Sequence, residues 1–218
     1  MQEAPIEVAE SIKKYGKRPL QRLDEIGMVG PDLIAIHMTA LNDDDFKILE
    51  RTRPSIVHCP ESNMKLVSGN CQVQKLHDLG INVALGTDGA ASNNDLDMIG
   101  EMRTAAFLGK ITANSPLALN AEQVLKMATL NGAKALGIDH ITGSLTPGKS
   151  ADFIAIDLEQ IETQPLYHIV SQIVYATSRF QVTDTWVCGR QLMKNRKLQT
   201  VDEKELLEKA QIWREKIV

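Results

Sequence analysis

Three side chains that could perform acid–base chemistry each follow a short apolar run of the sequence. They are His37, His58 and Asp88, and the last lies in the glycine-rich stretch LGTDGAASNN at residues 85–94. An imidazole exchanges a proton near neutral pH, and a carboxylate can accept one. The three side chains could therefore act together if the fold brings the ends of the apolar runs to one place.

The segments around these residues alternate between strand and helix patterns. Apolar strands are predicted at 33–37, 55–58 and 82–86, and helices at 5–16, 20–26, from 42, at 73–79 and at 96–108. The interval between strands, roughly 21 to 28 residues, fits strand–helix–strand crossovers, and continuous apolarity fits parallel strands covered on both faces. A parallel α/β sheet is predicted, with the three polar residues at its carboxyl edge, where β/α barrels have their active sites. Three strands are too few to close such a barrel.

The composition changes after residue 142. A turn-rich stretch, GSLTPGK, occupies residues 143–149, and one helix is predicted before it at 122–136. Short strands are predicted at 151–156, 169–176, 183–187 and 190–193, the last two as a hairpin around Cys188-Gly189. An amphipathic helix is predicted at 202–218. The predicted organisation is an α/β unit at 1–142, a small β-rich unit at 143–200 and a C-terminal helix at 201–218.

Charge, cysteine content and apolar runs limit the partners and the cellular location that can be expected. The 218 residues hold 24 Lys and Arg against 28 Asp and Glu, for a net charge of −4, which argues against broad binding to nucleic acid or to acidic membranes. Cys59, Cys71 and Cys188 form no paired motif, so reduced thiols are expected. The first residues lack a signal-peptide pattern, and no apolar run approaches the roughly 20 residues that span a bilayer. A soluble cytoplasmic protein is expected.

Four passages together resemble the amidohydrolase superfamily. They are Ile36-His37, VHCPESNMKL at 57–66, LGTDGAASNN at 85–94 and GSLTPGKSADF at 143–153. The second and third passages are similar to the branch that holds S-adenosylhomocysteine and methylthioadenosine deaminases and the triazine chlorohydrolases. The resemblance covers nearly the whole chain and implies a metal-dependent β/α barrel followed by a β-sandwich domain.

The resemblance implies a metal site of which this chain holds only a part. In the superfamily a His-x-His pair on the first strand, a histidine on the fifth and an aspartate on the eighth hold one divalent metal ion, for which zinc is the first candidate. Asp88 matches the aspartate, and Gln2-Glu3-Ala4 resembles the end of the fifth-strand His-x-x-Glu motif. The other metal ligands fall outside this chain. The implied fold class is therefore α/β: the C-terminal part of a barrel with three to four strand–helix units, part of a β-sandwich, and a C-terminal helix.

The resemblance also implies chemical roles for three side chains. Asp88 would hold the metal and accept the proton of its bound water. Glu3 would carry protons to a ring nitrogen of the substrate, and His37 would polarise the oxygen of the tetrahedral intermediate. These are the candidate catalytic residues, and Glu3 and Asp88 would also contact the substrate. Simpler readings stay open: a turn for Asp88, a solvated charge for Glu3 and a buried, carbonyl-bonded imidazole for His37.

Five further side chains are assigned positions around this site. His58 could contact the substrate or only hold the loop that carries Ser62 and Asn63. Ser62, Asn63, Ser92 and Asn93 are candidates for orienting the metal ligand and its neighbours from behind. Asn93 could instead cap the helix that follows it.

The resemblance implies hydrolytic deamination of an adenine-type nucleoside, S-adenosylhomocysteine or methylthioadenosine, or of a related N-heterocycle. A triazine-type chlorohydrolase is the alternative within this class, because both reactions replace a ring substituent with hydroxyl by addition and elimination. A truncated, non-catalytic fragment is the alternative of a different class, since most metal ligands are missing. The chain alone is expected to be inactive, its expected partner is a small-molecule substrate, and a homo-oligomer is left open for the full-length form.

Overall fold

The structure is a computed structural model and describes residues 1–217. Its N-terminal part consists of α1 (Pro5–Tyr15), α2 (Pro19–Glu25), β1 (Ile34–Ile36), α3 (Asp43–Thr52), β2 (Ser55–His58), α4 (Pro60–Leu66), α5 (Val73–Asp78), β3 (Val83–Leu85), α6 (Ala90–Asn93), α7 (Met98–Ala113), α8 (Ala121–Met127) and α9 (Leu130–Ala135). The remainder consists of β4 (Phe153–Ile156), α10 (Ile169–Tyr175), β5 (Val182–Val187), β6 (Arg190–Lys194), β7 (Lys197–Leu198) and α11 (Glu203–Ile217), with short 3-10 turns at Ile161–Thr163 and Arg179–Gln181.

Strands β1, β2 and β3 form a parallel sheet in that order, as the sequence predicts. Helix α3 connects the first two strands, and α4 and α5 connect the second and third. Because the strands run in one direction, their carboxyl ends share one edge of the sheet. His37 and His58 lie at this edge, and Asp88 follows it in the loop after β3. The α/β class is therefore confirmed.

The two faces of this sheet are covered unequally. Alternate side chains of a strand point to opposite faces, and Ala35, Ile56 and Val83 lie in register within the hydrophobic core. On the opposite face of β1, Ile34 is 36% and Ile36 is 44% exposed. Coverage of both faces is thus correct for β3, which is buried throughout, and wrong for β1. Three strands cannot close a sheet on itself, so this face of β1 stays open.

The boundaries of the first helices follow capping chemistry in the sequence. Before α3, Asn42 Oδ1 accepts from the Asp45 N–H at 2.9 Å, and Asp45 Oδ2 accepts from the Asn42 N–H at 3.0 Å. This reciprocal pair is a capping box. Helix α1 begins with Pro5, which suits a first turn, and ends at Gly16, whose φ of 70° is left-handed. Both helices lie where the sequence predicts them.

The segment at 169–176 is predicted as a strand and is instead the helix α10, so that prediction is wrong. His168 Nδ1 accepts from the Ser171 N–H at 3.1 Å and caps the helix. Val174 is fully buried, and the helix packs against α7 and α8. The β-branched residues give the segment strand propensity, and its packing against the α/β part overrides that propensity.

Further helices differ from expectation, and one of them, α6, lies in a segment expected to be a loop. The helix predicted at 122–136 is divided into α8 and α9, because Thr129 between them has φ −131° and ψ −96°, outside the helical region. Helix α4 has no counterpart among the predicted helices. It begins with Pro60, directly after Cys59, and ends at Val67 in a left-handed conformation. This short helix is important because two candidate site residues lie on it.

A second, antiparallel sheet has the strand order β4-β5-β6-β7. Its centre is the predicted hairpin around Cys188-Gly189, in which Val187 pairs with Arg190. The rings of Phe153 and Trp186 stack across β4 and β5 with centroids 4.5 Å apart. The sheet lies within residues 143–200, and the unit boundaries at 142 and 200 stay predictions.

Helix α11 begins after Asp202, as predicted, and Asp202 Oδ1 accepts from the N–H groups of Lys204 and Glu205 at 2.9 and 3.1 Å. None of its side chains is buried. Within residues 1–217, no helix is both long and apolar enough to traverse a bilayer.

We expect the chain to self-associate through the open face of β1 and the part of its edge before the Ile36 carbonyl, which accepts from the Met1 ammonium group at 3.0 Å. Full burial of an isoleucine side chain contributes about 1.5–3 kcal/mol, and an unpaired strand edge can pair with another chain. Light scattering should give a mass above that of the monomer, and the double substitution Ile34→Thr with Ile36→Thr should reduce it. The matched change Ile161→Thr, at a position 89% exposed outside both sheets, should not. A stable monomer with a cooperative melt would contradict this expectation.

Candidate active site at the carboxyl edge of the parallel sheet

The three candidate catalytic side chains lie together at the carboxyl edge of the sheet. His37 Nε2 is 3.6 Å from Glu3 Oε2 and 4.0 Å from Asp88 Oδ2. The histidine is buried, whereas the side chains of Glu3 and Asp88 are 27% and 33% exposed. An imidazole between two carboxylates at a partly open edge can exchange a proton with either of them.

The backbone at these positions adopts a conformation that residues other than glycine rarely take. Gln2, His37, Met38 and Asp88 have φ of 51°, 72°, 51° and 62°. A non-glycine residue in the left-handed region costs on the order of 1 kcal/mol, and such residues cluster at functional sites. The strand ends that bring the three side chains together are therefore strained, and surrounding contacts must hold them.

Asp88 is held by three hydrogen-bond donors. Its Oδ2 accepts from Ser62 Oγ at 2.7 Å and from Ser92 Oγ at 2.8 Å, and its Oδ1 accepts from the Gly89 N–H at 2.8 Å. The Ser62 hydroxyl, followed by that of Ser92, lowers the pKa of Asp88 below its ordinary value. Asp88 is therefore an anion at neutral pH, and its carboxylate is fixed in one orientation.

Asn63 fixes the ring of His37. The Asn63 Oδ1 lies 2.9 Å from His37 Nδ1, so Nδ1 carries the proton and Nε2 faces the two carboxylates. Asn63 is fully buried on α4. The same short helix thus supplies Ser62 to Asp88 and Asn63 to His37.

Glu3 is positioned by the buried residue before it and by two hydroxyl groups. Gln2 is 1% exposed, and its Nε2 donates to the Ala40 carbonyl at 3.1 Å. Ser68 Oγ donates to Glu3 Oε1 at 3.1 Å, and Thr39 Oγ1 donates to the Glu3 carbonyl. Thr39 and Ser68 belong to no recognisable motif, so sequence reasoning misses them. Their contacts leave Glu3 Oε2 as the carboxylate oxygen that faces His37.

His58 differs from the other strand-end residues because it is closed off from solvent. It is 1% exposed, and its Nδ1 has no hydrogen-bond partner among residues 1–217. Burial, with a smaller effect from the nearby His37, lowers the pKa of His58 to about 3. Of the two sequence-based alternatives, this neutral and enclosed ring favours support of the loop over contact with the substrate.

Ser92 and Asn93 make different contacts. Ser92 bonds to Asp88, as described above, whereas Asn93 Oδ1 accepts from the Leu96 N–H at 2.7 Å and Asn93 Nδ2 donates to Glu101 Oε1 at 2.7 Å. Asn93 therefore holds the turn before α7. Glu101 is completely buried, and burial raises its pKa to about 8. Sequence reasoning misses this carboxyl group.

The side chains at this edge can supply part of the ligand set of a metal ion. Among residues 1–217, no group of three His, Cys, Asp or Glu side chains is placed to hold a metal ion. A carboxylate offers about four lone-pair sites, and the three donors to Asp88 leave one of these on Oδ1. Asp88 is ionised and partly exposed, so it can supply one ligand to a cation. The other ligands would have to come from outside these residues.

Comparisons with known sequences point to one group of enzymes. A family model described as the amidohydrolase family matches residues 1–192. The chain is 47% identical over 217 residues to a 5-methylthioadenosine/S-adenosylhomocysteine deaminase of Teredinibacter turnerae, covering 100% of this chain and 49% of the relative. It is 43% identical over 216 residues to a 5'-deoxyadenosine deaminase of Methanosarcina mazei, covering 99% of this chain and 50% of the relative. The chain spans about half the length of the curated relatives it matches.

Solved structures show the same coverage. An adenosine deaminase from Xanthomonas campestris with bound zinc superposes with a TM-score of 0.97 at 48% identity, over 100% of this chain and 49% of that chain. An atrazine chlorohydrolase from Arthrobacter aurescens, complexed with zinc, superposes with a TM-score of 0.90 at 21% identity, over 95% of this chain and 46% of that chain. The second likeness shows a shared fold alone.

Removal of one serine hydroxyl should make Asp88 a weaker acid. Ser62→Ala deletes the donor with the largest effect on Asp88, so the pKa of this carboxyl should rise relative to the unsubstituted chain. The measurement is the pH titration of the Asp88 carboxyl ¹³C resonance. Ser150→Ala is the matched control, because its hydroxyl donates to Asp152 at 3.1 Å in the second part of the chain. An Asp88 titration unchanged by Ser62→Ala would contradict the observed geometry.

His58 should make the fold sensitive to acid. The folded state keeps this ring neutral down to about pH 3, whereas the unfolded state binds a proton near pH 6.5. The neutral His58 ring therefore makes its full contribution to the free energy of unfolding above pH 6.5. Below pH 6.5 this contribution falls by about 1.4 kcal/mol per pH unit. Urea unfolding between pH 7 and pH 4.5 should show a shallower loss in His58→Gln. The exposed control, His140→Gln, should keep the steeper loss, and equal slopes in all three would contradict the prediction.

Proposed function

The chain belongs to the amidohydrolase family, and on that premise we propose that it provides the carboxyl-terminal share of the active site of a hydrolytic deaminase for adenine-type nucleosides. We base this on one observation above all: the His37 imidazole lies between the carboxylates of Glu3 and Asp88. Each of the three falls in a passage that resembles a family motif. The relatives at 43% and 47% identity are named as deaminases of this substrate class.

Asp88 is proposed to be one ligand of a divalent metal ion, with zinc suggested by the relative from Xanthomonas campestris. Such an ion, when bound, lowers the pKa of a coordinated water to about 7 and so supplies hydroxide at neutral pH. Ser62 and Ser92 keep Asp88 ionised and direct its Oδ2 toward themselves, which leaves the open lone pair on Oδ1. The ionised carboxylate is also the group that can accept a proton from the nucleophile.

Glu3 and His37 are proposed to handle protons on the substrate side. Ser68 occupies Glu3 Oε1, so Oε2 is the oxygen that could hold a proton and donate it to a ring nitrogen. That donation makes the adjacent ring carbon more electrophilic, and a further proton lets ammonia leave. His37, with its ring fixed by Asn63, can hold a proton at Nε2 beside an oxygen that becomes negative.

The remaining metal ligands are proposed to lie in sequence outside this chain, in keeping with its coverage of about half of each relative. On this view the chain alone lacks turnover, and the two parts at 1–142 and 143–200 are shares of a barrel and of a β-sandwich. We also propose a reducing, cytoplasmic setting. It is supported by the absence of disulfides in the described part of the chain, where Cys59 and Cys71 are buried and Cys188 is exposed.

A triazine chlorohydrolase is the second candidate. It is kept because the passages at 57–66 and 85–94 resemble motifs of the branch that holds both enzyme types. The chemistry would use the same residues, because chloride and ammonia both leave after addition of hydroxide to a ring carbon. The identity of 21% to the atrazine chlorohydrolase, against 47% to a nucleoside deaminase, places the nucleoside first.

A fusion protein tests this proposal. The N-terminal half of the Teredinibacter turnerae relative, up to where its match begins, is joined to Met1 and the product is loaded with zinc. Ammonia release from methylthioadenosine and S-adenosylhomocysteine is expected from the fusion and not from the 218-residue chain. Asp88→Asn should lower kcat/KM at least about 100-fold, the scale for loss of a general base.

The control is Glu50→Gln, at an exposed position on α3, which should keep full turnover. Full turnover by the Asp88→Asn fusion would contradict the role of Asp88. Chloride release from atrazine without ammonia release from either nucleoside would move the assignment to the second candidate.

A further inference from the structure

One buried carboxyl group lies behind the site and has no part in the chemistry described above. Glu101, on α7, is 0% exposed. Its Oε1 accepts from Asn93 Nδ2 at 2.7 Å, and its Oε2 accepts from the Glu61 backbone N–H at 3.3 Å. The first contact reaches the last residue of α6, and the second reaches the first turn of α4. Glu101 therefore bridges two segments that are more than 25 residues apart in sequence.

These two contacts fall directly beside the serines that hold Asp88. Asn93 follows Ser92, and Glu61 precedes Ser62. The two serine hydroxyls converge on one atom, Asp88 Oδ2, at 2.8 and 2.7 Å. The separation of the serines decides whether both can reach that atom, and the carboxyl group of Glu101 spans the same two segments.

We propose that Glu101 is a positioning residue, which sets the spacing of Ser62 and Ser92 and through them fixes the orientation of Asp88. It acts on His37 as well, because Asn63 lies on the same turn of α4 as Ser62. The structural part of this inference stands on the hydrogen bonds alone. Its consequence for turnover rests on the proposed function.

The burial of the Glu101 carboxyl group supports a positioning role. Taking a carboxyl group out of water is costly unless it is bonded, and the pKa of Glu101 is raised to about 8 by burial, against the lowering effect of the Glu61 N–H. The negative groups of Glu61 and Asp95 add to this cost. An apolar side chain in its place would avoid the cost but would have no acceptor for either segment. A carboxyl group offers an oxygen to each segment at one point, which an amide side chain of the same size does not.

A second hydrogen bond joins α7 to α4 and limits their motion relative to each other. Thr104, one turn further along α7, donates from its Oγ1 to Glu61 Oε1 at 2.8 Å. Glu61 is thus held through its side chain by Thr104 and through its backbone by Glu101. Loss of Glu101 should therefore loosen the two serine segments without detaching α4 from α7.

The first test uses hydrogen–deuterium exchange on the unfused 218-residue chain, so that it needs no turnover. Glu101→Gln leaves one acceptor and turns an amide NH₂ toward the other donor, and Glu101→Ala removes both acceptors. Exchange should rise at least about fivefold in segments 59–66 and 88–96, and more in Glu101→Ala than in Glu101→Gln. The control, Val174→Ala, makes a cavity in the core at α10, where Val174 is fully buried. It should destabilise the chain without selective change in these segments.

The second test uses the zinc-loaded fusion protein. Glu101→Gln should lower kcat about 10-fold with KM within about twofold, because misorientation of a reacting group acts on the chemical step. In a background with both Ser62→Ala and Ser92→Ala the same substitution should cost less, since both hydroxyl groups that connect Glu101 to Asp88 are then absent. Val174→Ala should lower kcat by less than Glu101→Gln does, whatever its effect on stability.

The outcomes separate the two proposals. Selective exchange in both segments with an inactive parent fusion would uphold the positioning role and defeat the proposed function. Unchanged exchange in both segments of Glu101→Gln would overturn the positioning role. So would a loss of kcat in Glu101→Gln that is equally large with and without the two serine hydroxyl groups.

Discussion

The structure depends on keeping two carboxylates close to a single imidazole. Glu3 Oε2 and Asp88 Oδ2 lie 3.6 and 4.0 Å from His37 Nε2, and each partly buried carboxylate needs hydrogen-bond donors to compensate for lost hydration. The chain compensates unequally. Asp88 receives Ser62, Ser92 and the Gly89 N–H, whereas the Glu3 carboxylate receives Ser68. The Ser62 and Ser92 hydroxyls lower the pKa of Asp88 and fix its orientation, whereas one oxygen of Glu3 has a hydroxyl donor and the other faces His37.

The donors come from short helices that begin where the strands end. Ser92 lies four residues after Asp88, one helical turn away, and bonds back to it locally. Ser62 also lies four residues after a strand end, at His58, but its hydroxyl crosses to the neighbouring strand's loop. The sheet thus places the loops at one edge, and side chains of the short helices form hydrogen bonds there. The left-handed φ of Asp88 is tolerable because three donors hold its side chain at the far end.

The strand ends were the predictable part of this arrangement. A polar residue that closes an apolar run is visible in sequence, and the parallel order of the strands places such residues at one edge, as found for His37, His58 and Asp88. Segment 169–176 misled the strand prediction because its β-branched residues have strand propensity, whereas packing of the buried Val174 and the partly buried Val170 and Ile173 against the core decides its state.

The supporting groups were harder to foresee. Ser68 and Thr39 contact Glu3 from separate loops, and no spacing in the sequence relates them to it. Glu101 did leave a signal in the sequence. It is a charged residue of α7 that lies between the apolar residues Ile99 and Met102, both of which are buried. A charged residue in such company needs partners, but the sequence could not say that they would be Asn93 and the Glu61 N–H.

Strand β1 connects two features of the molecule, an uncovered apolar face and the candidate site. Ile34 and Ile36 leave one face of this strand open, and the same strand leads directly into His37. Any segment that covers the two isoleucines gains about 1.5–3 kcal/mol for each side chain it fully buries. If that segment runs as a further parallel strand of a closing barrel, its carboxyl end reaches the edge where Asp88 keeps an open lone pair. Burial of the two isoleucines would then help to fix the side chains at that edge, because the free energy of apolar burial would offset the entropy lost when the additional ligands are ordered.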